Sequence, residues 1–434
     1  MLALLVLVCS ISLSGCFYLS NSLCFGVCDC SANFECAGKN LTSIPTFELP
    51  AFLLAKDYTH QHTVLNLNEN RITSIRFGAF KKLSALQMPV LYIQLSSNKI
   101  SHVNNGAFLG VELLSGIGID LSFNNITSVP LDLTRLNNII SLDLSNNPIQ
   151  SISDSVVASI FTHNNNMHSF TVSSYELLKK VMSLERTNVH WLTLDGMTNR
   201  RFEPGFFQAR RSWFLKYLTI KHSQFEDISE VLCNLELESL KIIGCPNVGD
   251  TTLQGCQVLT VKTLEISDGN LTNAWDPSAL YYSPIVDLTV SGTFDRVPTS
   301  ILGHWPKLQS LSIGNKIRRI EKYDLEQFHD LASLRLDSNP LAFVDDRVFE
   351  NNTHLSTVYL PYSKDSHLTR IPTSLLNLTG MNVVSLPNMV CSCETMDYMK
   401  GWHDRPWVIL GADCSNIDGI RIPDYIDTKL PLCT

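Results

Sequence analysis

Apolar and polar residues alternate along the chain in short bursts. In SLDLSNNPIQSI, residues 141–152, Leu142 and Leu144 stand one residue apart, with Asp143 between them and Asn147 following. Side chains point to opposite faces of an extended backbone, so the two leucines share one face of a short strand and Asp143 takes the other. A single burst of this kind fits many half-buried strands; recurrence at a fixed period gives it meaning. The pairing recurs at Leu65/Leu67, Ile93/Leu95, Ile119/Leu121, Leu142/Leu144, Phe170/Val172, Leu192/Leu194 and Leu218/Ile220. It continues at Leu240/Ile242, Leu264/Ile266, Leu288/Val290, Leu311/Ile313, Leu334/Leu336, Val358/Leu360 and Val384/Leu386. From 65 to 384 the pairs advance by about 24.5 residues, a period that predicts fourteen strands in a stack of coils with one shared interior.

Two other positions keep step with these anchors. Asn70, Asn98, Asn124, Asn147 and Asn339 each follow the second strand residue by three. An asparagine amide donates and accepts at once, so stacked copies can satisfy the backbone groups that a tight bend leaves unpaired. Phe80, Phe108, Phe207 and Phe349 each follow the second strand residue by thirteen and predict an apolar spine on the return side of the coils. Burying such a ring contributes roughly 1.5–3 kcal/mol.

With this repeat the chain resembles the extracellular leucine-rich repeat proteins over nearly all of its length. The resemblance implies an α/β fold, a leucine-rich repeat solenoid shaped as a curved horseshoe with a parallel β-sheet on the concave face. Cys24, Cys28, Cys30 and Cys36, followed by NLTSIP at 40–45, resemble the family's N-terminal cysteine cap. That likeness implies pairing Cys24 with Cys30 and Cys28 with Cys36. Cys391, Cys393, Cys414 and Cys433, with Trp402 among them, resemble the C-terminal cap and imply Cys391 with Cys414 and Cys393 with Cys433. The open ends of a solenoid need covering, and disulfides suit small units with little core of their own. Zinc is the competing use of four close cysteines, and it fits an exported repeat chain less well.

The ladder is regular in the first four repeats and loose afterwards. Ser223, Cys245, Thr293 and Ser363 take the asparagine position with smaller groups, while Tyr175, Met197 and Lys316 cannot bond in the same way. Either those turns are satisfied otherwise or the register shifts. Residues 153–190 are the least regular segment, where FTHNNNMHSF separates the anchors Leu142 and Phe170 by 28 residues. The segment reads either as a drifted repeat with a longer polar turn or as a projecting binding loop, the former being the commoner outcome. Cys233 and Cys256 precede their strands by similar distances. Neighbouring strands lie about 4.8 Å apart and a disulfide wants Cα atoms roughly 4.4–6.8 Å apart, so these two are expected to pair and leave Cys245 a buried thiol.

Lys and Arg number 33 against 41 Asp and Glu, a net charge of -8, and no basic run marks a nucleic-acid partner. MLALLVLVCSISLSGC, residues 1–16, has the layout of a secretory signal that is removed. LSGC within it also resembles a lipoprotein box, but no Lys or Arg precedes it. No other apolar run is long enough to span a bilayer, so a secreted, extracellular product without a transmembrane segment is expected. The sequons at Asn40, Asn125, Asn270, Asn351 and Asn377 agree with that compartment as glycosylation sites. The expected organisation is a signal peptide at 1–16, a cap at 24–45, the solenoid at 46–386 and a second cap at 387–434.

No catalytic motif is present, and neither a cofactor nor an enzyme activity is expected. His60 with His62, and His163 with His168, hint at metal but lack a third ligand at a recognised spacing, so all four read as surface histidines. Binding is expected on the residues that alternate with the strand leucines. Those singled out are Tyr92, Asp120, Asp143, Trp191, Thr193, Asp195, Tyr217, Thr219, Lys221 and Lys241, and the same face takes in Gln94, Ser96, Ser122, Ser145, Thr171, Glu265, Arg335, Asp337 and Tyr359. Trp191 and Tyr217 on neighbouring coils, with charges around them, have the composition of an interface hot spot. The resemblance implies a secreted recognition protein that docks an extracellular or cell-surface protein on its concave face, in an adhesion, guidance or matrix role. Two alternatives stand beside it: an innate-immune sensor or soluble decoy for microbial glycan or lipid, and a non-catalytic subunit of a secreted enzyme.

Overall fold

All fourteen strand pairs fall into one register. Leu65, Ile93, Ile119, Leu142, Phe170, Leu192 and Leu218 are successive partners along a parallel ladder. Leu240, Leu264, Leu288, Leu311, Leu334, Val358 and Val384 extend it. Every one of these side chains is buried, and they belong to a single continuous core. Phe34 continues the ladder at one end and Ile409 at the other, within a sheet of 18 strands. The computed structural model describes residues 23–24, 27–30, 33–47, 62–203, 206–207, 215–226, 228, 232, 235–255, 260–362, 367–402 and 405–433. Residues 1–16, His60, Cys233, Cys256, Ser363 and the side chain of Cys24 lie outside the described residues.

Eight of the fourteen strands leave the sheet through a left-handed residue two positions after the second anchor. Glu69, Ser97, Phe123, Asn146, Gly196, His222, Gly244 and Asp268 all take φ between 49° and 73° there. The bend turns each residue's N–H toward the next coil: Glu69 donates to Ser96 O, Phe123 to Ser145 O, and Asp268 to Ser291 Oγ. At Gly196 a Cβ would come within 2.5 Å of Asn146 Oδ1, so glycine is required by contact as well as by φ.

The asparagine that follows closes the corner. Asn124 Nδ2 donates to the carbonyls of Leu95, Leu121 and Ser122, while its Oδ1 accepts the Ile100 N–H of the preceding coil at 2.9 Å. Asn70, Asn98, Asn147 and Asn339 make the same two-way link between coils. Ser223 substitutes on a smaller scale, donating to Lys221 O and accepting from Met197 N–H. Lys316 sits exposed because Asn339 Oδ1 takes both neighbouring N–H groups, of Asn315 and Ile317. The irregular turns are therefore satisfied otherwise, and the strand register on either side is unshifted.

On the return side, Phe80, Phe108, Phe207 and Phe349 are all buried, and Phe80 stacks on Phe108 at 5.6 Å. The irregular stretch 153–190 holds two helices, Asp154–His163, which fills the long spacing, and Tyr175–Met182 in the following coil, either side of the strand Ser169–Val172. Val157, Ile160 and Phe161 on the first helix, and Leu177, Leu178 and Val181 on the second, face the core. Ser174 Oγ accepts the Leu177 N–H and starts the second helix. This stretch belongs to two packed, helix-bearing coils rather than to a projecting loop.

At the N-terminal end short antiparallel strands at Leu23–Cys24, Cys28–Asp29 and Phe34–Glu35 cover the first coil. Cys28 is bonded to Cys36, and Cys30 is also in a disulfide. At the other end Cys391 pairs with Cys414 and Cys393 with Cys433, over a floor of Met396, Met399 and Trp402. The last strand, Val408–Gly411, has one edge without a neighbouring strand among the described residues, and Arg421 lies against it, donating to Ile409 O at 2.7 Å and Gly411 O at 3.4 Å.

Candidate docking surface

Residues that alternate with the buried anchors form rows across the inner face. One row runs Tyr92, Gly118, Ser141, Ser169, Trp191, Tyr217, Ser239. The next runs Gln94, Asp120, Asp143, Thr171, Thr193, Thr219, Lys241, Glu265. Tyr92 lies over Gly118, where a Cβ would meet its ring at 2.3 Å; only glycine lets the ring lie flat on the sheet. Gly118, Ser141 and Ser169 thus form a low stretch between the rings of Tyr92 and Trp191, four strand steps or about 19 Å apart.

Trp191 and Tyr217 stack face to face, with ring centroids 4.8 Å apart and planes within 5° of parallel. Trp191 remains 45% exposed in spite of the stack. The Tyr217 hydroxyl donates to Glu238 Oε2 and Lys216 Nζ donates to Oε1, each at 3.0 Å. The hydrogen bond from Lys216 and then that from Tyr217 hold the Glu238 carboxyl below its ordinary range, and the same carboxylate raises the Tyr217 hydroxyl. The stack is thereby anchored at its edge by a charged clamp that the alternation pattern did not include. His168 and His190 adjoin it, their rings 6.3 and 6.0 Å from the indole.

Thr193, Thr219, Lys221 and Lys241 are half-buried on the inner face, Lys241 paired with Glu265 at 2.8 Å. Asp195 differs from the expectation: only 4% exposed, it is held by Lys221 at 3.1 Å and His222 at 3.0 Å. Ser122 and Ser145 are also buried, their hydroxyls turned back onto Asp120 and Asp143. All three stand at the strand end, just before the left-handed corner, where strict alternation no longer governs exposure. Arg335 and Tyr359 lie far along the sheet from Trp191 and form a separate pair, the guanidinium 4.4 Å from the ring centroid.

Asp143 stands beside the low stretch with its carboxyl pushed up to about 6. Burial is the main cause, opposed by the Ser145 hydroxyl and reinforced by the charge of Asp120. Of the histidines considered for metal, His62 lies near Tyr92, and His163 bonds the Ser159 carbonyl of its own helix. Neither meets His168, whose ring neighbour is His190.

The leucine rich repeat family profile matches residues 62–120, and that of the BspA type leucine rich repeat region matches 273–397. The chain is built of leucine-rich repeats. This leucine-rich repeat chain is 24% identical to Tsukushi of Mus musculus over 276 residues, covering 54% of itself and 73% of Tsukushi. It is 36% identical over 139 residues to leucine-rich repeat-containing protein 3 of Danio rerio, spanning about half of that relative's length, 46%. A crystal structure of a TLR13–ssRNA13 complex shares its fold, with a TM-score of 0.53 at 17% identity, covering 83% of this chain and 56% of the other. Among the described residues no helix is long and apolar enough to cross a membrane.

Proposed function

We propose that the chain is an extracellular, non-catalytic recognition protein that docks a protein partner on the inner face of its sheet, centred on Trp191 and Tyr217. The observation that carries this reading is the parallel stack of those rings, half exposed and clamped at its edge by Glu238 and Lys216. Large, rigid side chains that need no reordering are what interface hot spots use. The low stretch beside the stack gives a partner room to approach the sheet, and Asp120 and Asp143 there favour a cationic side chain. A partner's Lys or Arg would relieve the charge that burial penalises at Asp143.

The sequon asparagines support this face. Asn40, Asn125, Asn270, Asn351 and Asn377 are all exposed, and none lies on a strand of the inner sheet, so glycans there would leave it uncovered. A glycan reader is less well served, because the stack covers one face of each ring, the surface a sugar would need. The test is affinity capture from conditioned medium and cell surfaces, with the parent and a Trp191→Ala/Tyr217→Ala chain as bait. One protein should be retained by the parent and weakened by roughly 30-fold or more in the variant. Equal retention by both would remove this patch from the interface.

A further inference from the structure

We propose that His168 and His190 form a divalent transition-metal site at the rim of the Trp191–Tyr217 stack. The two residues immediately precede strands paired in register, Ser169 opposite Trp191. Their backbones are part of the coil ladder: His190 and Trp191 N–H both donate to His168 O, and Lys216 and Tyr217 N–H both donate to His190 O. The imidazoles are therefore carried on regular structure, and their Nδ1 atoms face each other at 3.3 Å.

At this distance the two nitrogens can share either of two things. One candidate is a proton, shared when either ring carries it on Nδ1; the other is a metal ion, bound when both rings carry theirs on Nε2. Metal–nitrogen bonds of about 2.0–2.1 Å meeting at a tetrahedral angle span roughly 3.3–3.4 Å between donors, the separation found here. The next ladder position holds Lys216, whose ammonium is neutralised by Glu238 at 3.0 Å, which reduces its repulsion of an incoming cation. Among the described residues no group of three His, Cys, Asp or Glu comes together. The site thus offers two protein ligands, and its other positions are open to water or to a carboxylate or imidazole of a docked molecule. Ligand type and number point to copper and zinc rather than magnesium or calcium, with affinity on the order of micromolar.

The test is titration of the purified full-length chain with zinc chloride by calorimetry, alongside quenching of tryptophan emission by Cu²⁺. One saturable site is expected, with Kd raised roughly tenfold or more by His168→Ala and by His190→Ala. His168→Gln should have the same effect while keeping side-chain volume, so that loss of binding is separable from loss of folding. Copper should quench Trp191 in the parent and spare it in those variants, because the indole lies 6.3 and 6.0 Å from the two rings. No saturable binding below about 1 mM zinc, or an unchanged Kd in a folded double variant, would overturn the proposal. The titration needs no partner, so its failure leaves the docking surface standing, and failure of partner capture leaves the metal site standing.

Discussion

Asp143 and the asparagine ladder place polar groups within the coil stack with opposite consequences. Each ladder asparagine has its amide donating and accepting at once, and its position was legible because the turn recurs at one spacing. Asp143 was legible only as an outward position; what burial and Asp120 do to it depends on neighbours from other coils. Its carboxyl is raised from 3.8 to about 6, so between these values the folded chain holds a proton that the unfolded chain has released. The stability this contributes is full below 3.8 and lost as pH rises through about 6. In chemical denaturation, Asp143→Asn should gain on the parent by roughly 2–3 kcal/mol across that window and hold a constant advantage above it. A parallel pH dependence in the two proteins would mean that Asp143 is ordinary. His168 and His190 were less legible still, since 22 residues separate them and each alone looks like a surface side chain.

At the scale of elements, the strands could be read because two buried positions per coil repeat, and the structure keeps all fourteen in the expected register. The helices Asp154–His163 and Tyr175–Met182 could not, because each apolar face falls in one irregular interval between anchors, with no regular copy to compare. A further set of asparagines also escaped the pattern. Asn164 Nδ2 donates to Leu136 O and Ile160 O, its Oδ1 accepting the Ile139 N–H, while Asn138 and Asn352 donate to carbonyls of their preceding coils. Their spacing from the anchors varies with coil length, which hides them. In the middle of the chain, Glu236 and Thr260 form a parallel bridge a few residues beyond Cys233 and Cys256. Peptide mapping without reduction should join those two cysteines and return Cys245 as a free thiol, buried and raised above its usual range by that burial. Alkylation of Cys233 and Cys256 in the native, unreduced protein would refute the bridge.

Over the whole molecule, stability is a sum of nearest-neighbour contacts, so the two ends carry the problem that a closed fold avoids. The sequence showed where the ends are through clustered cysteines. It did not show how the final strand is finished, because Arg421 reaches Val408–Gly411 from a separate segment. Trp407, Val408 and Leu410 are exposed there, beside backbone carbonyls that would otherwise accept another strand. Removing the guanidinium by Arg421→Ala should raise concentration-dependent self-association, seen as a larger sedimenting species than the parent at equal concentration. Identical sedimentation would show that the edge is guarded by something else. Because the strand of every coil offers the next one the same parallel ladder, nothing in the repeat itself counts how many have been laid down. If the Arg421→Ala chain self-associates, one arginine of the closing cap is the terminator that separates a discrete molecule from a ribbon lengthening by whole chains.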